Sequence, residues 1–252
     1  GFFFNGSLRH SESERRSIDM FFEFSDAELN YQTDWPRVTG LHGSLQIHDG
    51  SVTARASVAE SMQLSLSEIE LDIWQEQDKP WLSVDLQLAG ETSDLLGFLQ
   101  TPPLEVITSG ALVDWQASGR FSDGSVSLKL PLNDFGPDQI EIDTRARLQD
   151  SGLNMQDFGI ELNAVNGIVA YSSESNLQSS ELVAELWQQP VTITMGARQL
   201  GADIIDIAAR GKTRVSDLEA WLDLPLHKHF KGEADIALQL TLGEEESGLF
   251  VQ

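Results

Sequence analysis

Residues 44–56, SLQIHDGSVTARA, decide the fold. Asp49-Gly50 stands between two alternating runs, the strongest short-range signal of a two-residue β-hairpin. Such a loop opposes His48 to Ser51, Ile47 to Val52, Gln46 to Thr53 and Leu45 to Ala54. Directly opposed residues share a face, so Leu45, Ile47, Val52 and Ala54 lie on one side. Gln46, His48, Ser51, Thr53 and Arg55 take the other. One dry and one wet face specify the register, because a slip of one residue exchanges the faces.

The same alternation runs outward from this hairpin: Ile18/Met20/Phe22/Phe24, Leu64/Leu66, Val84/Leu86/Leu88, Val126/Leu128/Leu130 and Ile140/Ile142. Val191/Ile193, Ile205/Ile207 and Ala234/Ile236/Leu238/Leu240 continue it, with Ser, Thr, Gln, Asp and Glu between them. Turns are expected at Asp49-Gly50, Asp78-Lys79-Pro80, Asp123-Gly124 and from Asn133 to Pro137. Two segments break the pattern. Ser93-Asp-Leu-Leu-Gly-Phe-Leu99 and Ser216-Asp-Leu-Glu-Ala-Trp-Leu222 space their apolar residues helically, begin with a candidate Ser cap and stop before a proline. An all-β, mainly antiparallel fold with one short helix per repeat follows.

The chain resembles itself at a spacing of about 124 residues. Ile18 matches Ile142, Asp19 Asp143, Asp26 Asp150, Leu29 Leu153, Asn30 Asn154, Leu41 Val165, Gly43 Gly167, Leu45 Val169 and Ile47 Tyr171. One inserted residue later, Val58-Ala59-Glu60 equals Val183-Ala184-Glu185, and further on Ser93-Asp94-Leu95 equals Ser216-Asp217-Leu218. The expected organisation is an N-terminal strand and connection over 1–17, a first repeat over 18–142 and a second, truncated repeat over 143–252. Gly1 stands in place of Met and the second repeat stops short of its period, so the chain reads as a piece of a longer array.

Chemistry is sparse. Acidic residues number 40 against 16 basic ones, a formal charge of −24 that disfavours nucleic-acid phosphates and simple adsorption to anionic lipid. Cysteine is absent, which excludes disulfides and thiolate metal sites, and no apolar run approaches a membrane span. His42, His48, His227 and His229 have no carboxylate at metal-ligand spacing, so exposed positions are expected for them. Glu68/Glu70 and Glu141/Asp143 read as solvated strand faces and not as an acid–base pair. The six tryptophans (35, 74, 81, 115, 187 and 221) read as core residues or as a ligand-facing lining, with core the expectation for each one separately. Roughly fourteen strands thus present an apolar face with two short helices to cover it. Packed sandwiches, a closed barrel and a curled trough all remain open.

Trp35-Pro36, Leu41-x-Gly43-x-Leu45 with its hairpin, Ser93 to Leu104, Gly119 to Leu132 and Gln189-Pro190-Val191 together resemble the AsmA-like envelope proteins of Gram-negative bacteria. The likeness is greatest to the YhdP subgroup and covers most of residues 18–242. It implies a bridge-like protein, anchored in the inner membrane and crossing the periplasm. A long, curled, repeated β-sheet would carry phospholipid acyl chains toward the outer membrane in an apolar groove. No catalytic residue, metal or cofactor comes with it. The inward aliphatic side chains are then the candidate lipid-binding residues. In the first repeat they are Leu45, Ile47, Val52, Ala54, Leu64, Leu66, Leu86, Leu88, Val126, Leu128, Leu130, Ile140 and Ile142. In the second they are Val169, Val191, Ile193, Ile205, Ile207, Ile236, Leu238 and Leu240. Expected partners are acyl chains and, through the full-length protein, the two membranes, with edge-to-edge self-association of the isolated piece. The alternative is a self-contained β-sandwich interaction module.

Overall fold

The computed structural model describes residues 1–5, 17–30, 36–77, 79–101, 112–132, 139–174, 176–197, 205–226, 229–242 and 248–251. A first pass runs through β2 (Ser17–Leu29), β3 (Val38–His48), β4 (Ser51–Ser61), β5 (Leu64–Glu76) and β6 (Lys79–Glu91). Helix α1 (Thr92–Leu99) and β7 (Trp115–Pro131) complete it. The second pass has the same order: β8 (Glu141–Met155), β9 (Ile160–Ser172), a divided strand β10 (Asn176–Ser179) and β11 (Leu182–Leu186), β12 (Gln189–Ala197) and β13 (Ile205–Arg214). Helix α2 (Val215–Leu222) and β14 (Glu233–Leu242) follow, with β1 (Phe2–Asn5) and β15 (Gly248–Val251) outermost. The strands form one antiparallel sheet hydrogen-bonded in chain order, with β11 off the main path, paired to both β9 and β12.

Backbone kinks recur with the repeat. Asp26 and Asp150 both adopt left-handed conformations in mid-strand, with φ of 53° and 45°. Gly40 and Ala164 do the same at 64° and 50°. The hairpin turns Met62-Gln63 and Trp187-Gln188 each carry two positive φ values, the requirement of a type I′ loop. These pairs lie 124 or 125 residues apart, so the repetition extends to irregular backbone as well as side-chain pattern.

Each kink has a purpose in the register. Met20 opposes Ile47, Phe22 Leu45 and Phe24 Gly43, but Ala27 then opposes Leu41. Asp26 supplies one extra residue to β2, and the apolar phase moves from even to odd positions without leaving the face. Asp tolerates the left-handed region better than most residues because its side chain hydrogen-bonds locally. On the second pass Asn166 clamps two kinks at once. Its Oδ1 accepts from the Asp150 N–H at 3.1 Å, and its Nδ2 donates to Asp150 Oδ1 at 3.1 Å and to the Ala164 carbonyl at 2.8 Å. The inserted residue that divides β10 from β11 is absorbed by serines. Ser180 Oγ accepts from the Ile168 N–H at 2.9 Å and Ser179 Oγ from the Met195 N–H at 2.8 Å.

The contacts divide the chain into two compact units, Gly1–Leu88 with Ser125–Thr144 and Ala89–Gly124 with Arg145–Gln252. The second has a continuous core. Leu182, Ala184, Leu186, Val191, Ile193 and Leu238 are buried in it, and the inner sides of both helices join through Leu96, Leu218 and Trp221. Trp221 also donates its indole N–H to the Phe158 carbonyl at 3.0 Å. A buried Thr92–Ser151 hydroxyl pair at 2.8 Å ties the start of α1 to β8.

Two local expectations need correction. Asp123-Gly124 is no turn: β7 runs through it, and Asp123, with φ of 49°, is a further mid-strand kink whose carboxylate pairs with Arg147 at 2.8 Å. Ser93 and Ser216 do not cap. The helices start one residue earlier, at Thr92 and Val215, so both serines sit inside the first turn and no side chain caps either helix. Trp35, Asp78, residues 102–104, residues 133–137 and His227 lie outside the described residues.

Gly43 and Gly40 separate two kinds of glycine requirement. A Cβ on Gly43 would strike the Arg55 carbonyl and Ala56 Cα across the β3–β4 pair, whereas Gly40 faces open space and needs only its φ of 64°. Gly43→Val is expected to cost about 1–3 kcal/mol through overpacking, and Gly40→Ala about 1 kcal/mol through strain. Urea unfolding of the two variants measures both.

Candidate functional site

In the first unit the apolar side chains form rungs across β2 to β5. Met20, Ile47, Val52 and Ile73 make one, and Phe22, Leu45, Ala54 and Leu71 the next. The hairpin register is the one expected from Asp49-Gly50, pair for pair. A third rung of Phe24, Gly43, Ala56 and Ile69 follows. Along it the glycine required by close backbone approach removes one side chain.

These rungs are not sealed. Leu45, Ile47, Val52, Ala54, Leu71 and Ile73 are all half-buried, and Phe22 is 46 % exposed. Leu86 and Leu88 on β6, Val126, Leu128 and Leu130 on β7, Ile142 on β8 and Ile140 just before it are half-buried as well. Among the described residues the first unit closes at Ala56 in the third rung, toward the opposite ends of β3 to β5, where Leu41, Ala59, Leu64 and Leu66 are buried, and at Pro131 on β7.

The second unit treats the same pattern differently. Val191, Ile193, Ile207, Ile236, Leu238 and Leu240 are buried core residues, and Val169 and Ile205 pack against them. Their rungs are as regular: Ile193 opposes Ala209 and Leu182, and Ala209 opposes Leu238. The expected lipid-facing set thus separates into a half-open group in the first unit and a group closed by protein, which comprises Leu64, Leu66 and the second-unit residues.

Sequence reasoning left Leu71 and Ile73 out of that set because they alternate out of phase with Leu64 and Leu66. Glu68, at φ 50°, explains the phase change. Ala56 opposes Ile69 and Ala59 opposes Leu66, so β4 and β5 each shift phase by one and stay paired. A phase slip within one otherwise regular run was the available signal.

The polar face of the first unit is tied by cross-strand pairs. Arg55 holds Glu70 through Nη2 at 2.5 Å and Nε at 2.9 Å, and Thr53 donates to Asp72 at 2.5 Å. The Glu70 hydrogen bond, helped by its charge, raises the Arg55 pKa. His48 Nδ1 meets Asp19 at 2.5 Å and Nε2 lies 3.7 Å from Asp49. The hydrogen bond to Asp19, then the charges of Asp19 and Asp49, raise the His48 pKa above its ordinary value. Trp74 and Trp81 stack at 6.5 Å, and Lys129 lies 5.3 Å from the centroid of the Trp81 ring while pairing with Glu141 at 3.6 Å. Trp115 is a core residue as expected, and Trp187 and Trp221 pack together at 5.4 Å.

The first unit is thus a β-sheet with an ordered apolar face that is half-buried among the described residues. A family model described as YhdP protein matches residues 1–252, and the chain belongs to that family. No curated protein and no solved structure matches it. No described helix is long and apolar enough to cross a membrane.

Two measurements check this description. Ile193→Ala is expected to cost about 3 kcal/mol, the usual loss for a sealed core position, and Ile47→Ala less than about half as much; equal losses would mean that the first-unit rungs are equally sealed. His48 gains its proton more readily folded than unfolded, so the pair stabilises below about pH 6.5 and that contribution is lost as pH rises through the folded pKa. The melting temperature of Asp19→Asn should therefore fall below that of the parent at pH 5.5 and converge with it at pH 8.5.

Proposed function

We propose that this chain is a non-enzymatic segment of a lipid-conduit protein of the bacterial envelope, in which the apolar face of the first unit accepts phospholipid acyl chains. The carrying observation is the row of aligned, half-buried rungs, Met20–Ile47–Val52–Ile73 and Phe22–Leu45–Ala54–Leu71. A monomeric protein seldom leaves so ordered an apolar surface without an occupant. Membership of the YhdP family supports the same reading.

The chemistry suits passage as well as holding. Each buried CH₂ contributes about 0.8 kcal/mol, so a tail gains affinity in small equal steps and meets no single tight site. Within each of the first two rungs one apolar side chain follows another from strand to strand, so a chain sliding across the strands exchanges apolar contacts for apolar contacts. In the second unit the same alternation closes into a protein core, with Ile193 fully buried, and the proposed acyl-chain contact is confined to the first unit. In the full-length protein the two membranes of the envelope are the source and destination of the lipid, and the segment lies in the periplasm between them.

Native mass spectrometry of the chain expressed in a bacterium should show co-purifying phospholipid. A photo-crosslinker replacing Leu45 or Val52 should label acyl chains, whereas one replacing Ile193 should not. Ala54→Trp, which fills a rung, should weaken binding of a fluorescent fatty acid about tenfold while leaving the melting temperature within a few degrees. Absence of bound lipid together with no crosslink from Leu45 or Val52 would sink this reading in favour of an interaction module.

A further inference from the structure

Opposed charges behave differently in the two units. In the first, Arg55 and Glu70 face each other across β4 and β5 and close to 2.5 Å. In the second, Lys212 faces Asp235 and Arg214 faces Glu233 across β13 and β14. All four are exposed, yet neither pair reaches ion-pair distance, and none of the four has another ion-pair partner among the described residues. Arg210 stands two residues along the same strand from Lys212. It faces Ala237 on β14 and Thr192 on β12, so no acid lies across from it on either neighbour. These five charges share the polar face of the sheet, because they alternate with Ala209, Thr213 and Ile236, which are buried.

The charges that stand apart border an open depression of about 770 Å³. Arg210 and Lys212 of β13 lie along its middle, Gln189 and Pro190 of β12 on one side, and Glu233 and Asp235 of β14 on the other. Ala237, across from Arg210, also lines it and adds too little side chain to fill the space there. Opposite charges that face each other across neighbouring strands and do not meet leave room for a molecule that carries both.

We propose that this depression binds a zwitterion in which a phosphodiester and a primary ammonium are joined by two carbons, the chemistry of an ethanolamine phosphate headgroup. Arg210 and Lys212 take the phosphate, the guanidinium presenting a fork of N–H donors that matches two phosphate oxygens. Asp235 and Glu233 take the ammonium one strand away. The separation of adjacent strands, about 4.8 Å, suits charges held apart by so short a linker. The carboxylate and ammonium of an amino acid share one carbon and fall short of it. A simple anion meets two carboxylates and a chain of net charge −24, and a simple cation meets the basic row on β13. A ligand with both charges completes both halves. The inference stands on the polar face of the second unit and does not depend on acyl-chain contact in the first.

The test is an NMR titration of the isotope-labelled full chain with glycerophosphoethanolamine. The controls are glycerol phosphate, which lacks the ammonium, and glycerophosphocholine, whose methylated ammonium cannot donate a hydrogen bond. Glycerophosphoethanolamine should shift the amides of Arg210, Lys212 and Asp235 and bind at least about tenfold more tightly than either control. Arg210→Gln and Asp235→Asn should each weaken it at least about tenfold. Both side chains are exposed, so melting temperature and fatty-acid binding should not change. Arg145→Gln, which removes an exposed cation on β8, should leave binding intact. Competition by vesicles of phosphatidylethanolamine and phosphatidylcholine assigns the site to a lipid headgroup. Binding without such competition assigns it to free headgroup esters, and either result supports the zwitterion chemistry. No shift at those amides up to about 10 mM ligand, equal affinity for either control, or equal weakening by Arg145→Gln would overturn the proposal.

Discussion

In an antiparallel sheet the hydrogen-bond register and the facing of side chains are one constraint, because opposed residues share a side. A strand that twists or bends must change its pairing without turning its apolar residues outward. This chain meets that demand with left-handed kinks in mid-strand at Asp26, Glu68, Asp123, Asp150 and Ala164. Each occurs where the alternation changes phase or the strand bends, and two recur at equivalent places in both passes. Strain at single residues thus preserves continuity of the apolar face over many strands.

What that continuity serves depends on cover. In the second unit, helices, neighbouring strands and the Trp187–Trp221 pair bury the rungs to the depth of an ordinary core. In the first unit the rungs of the β3–β4 hairpin stay half-buried, while ion pairs and a tryptophan stack organise the polar face behind them. A sheet whose wet face is tied by side-chain pairs can leave its dry face open without losing its register.

Much of this was legible in the residues. Asp49-Gly50 yielded the hairpin register pair for pair, and the two helices stand where apolar spacing changes from two to four. The misses share one cause. Asp-Gly fits a left-handed backbone wherever it occurs, so Asp123-Gly124 looked like a turn although β7 continues through it. Leu71 and Ile73 were passed over because periodicity was carried unbroken across Glu68. The serines of α1 and α2 matched a cap pattern two residues beyond the cap positions, Glu91 and Arg214. Local chemistry identifies which residues tolerate unusual backbone, and only the paired strand determines what the unusual backbone does there.

The sequence by itself determined the strand alternation, the helices, the repeat and the absence of recognisable catalytic motifs, since all of these follow from neighbours along the chain. It could not separate Ile47 from Ile193, because both sit in equally regular alternating runs. Tertiary structure decided that Ile193 is sealed and Ile47 is half open. Burial is a property of what stands across from a face, and no residue on the strand itself encodes that alone.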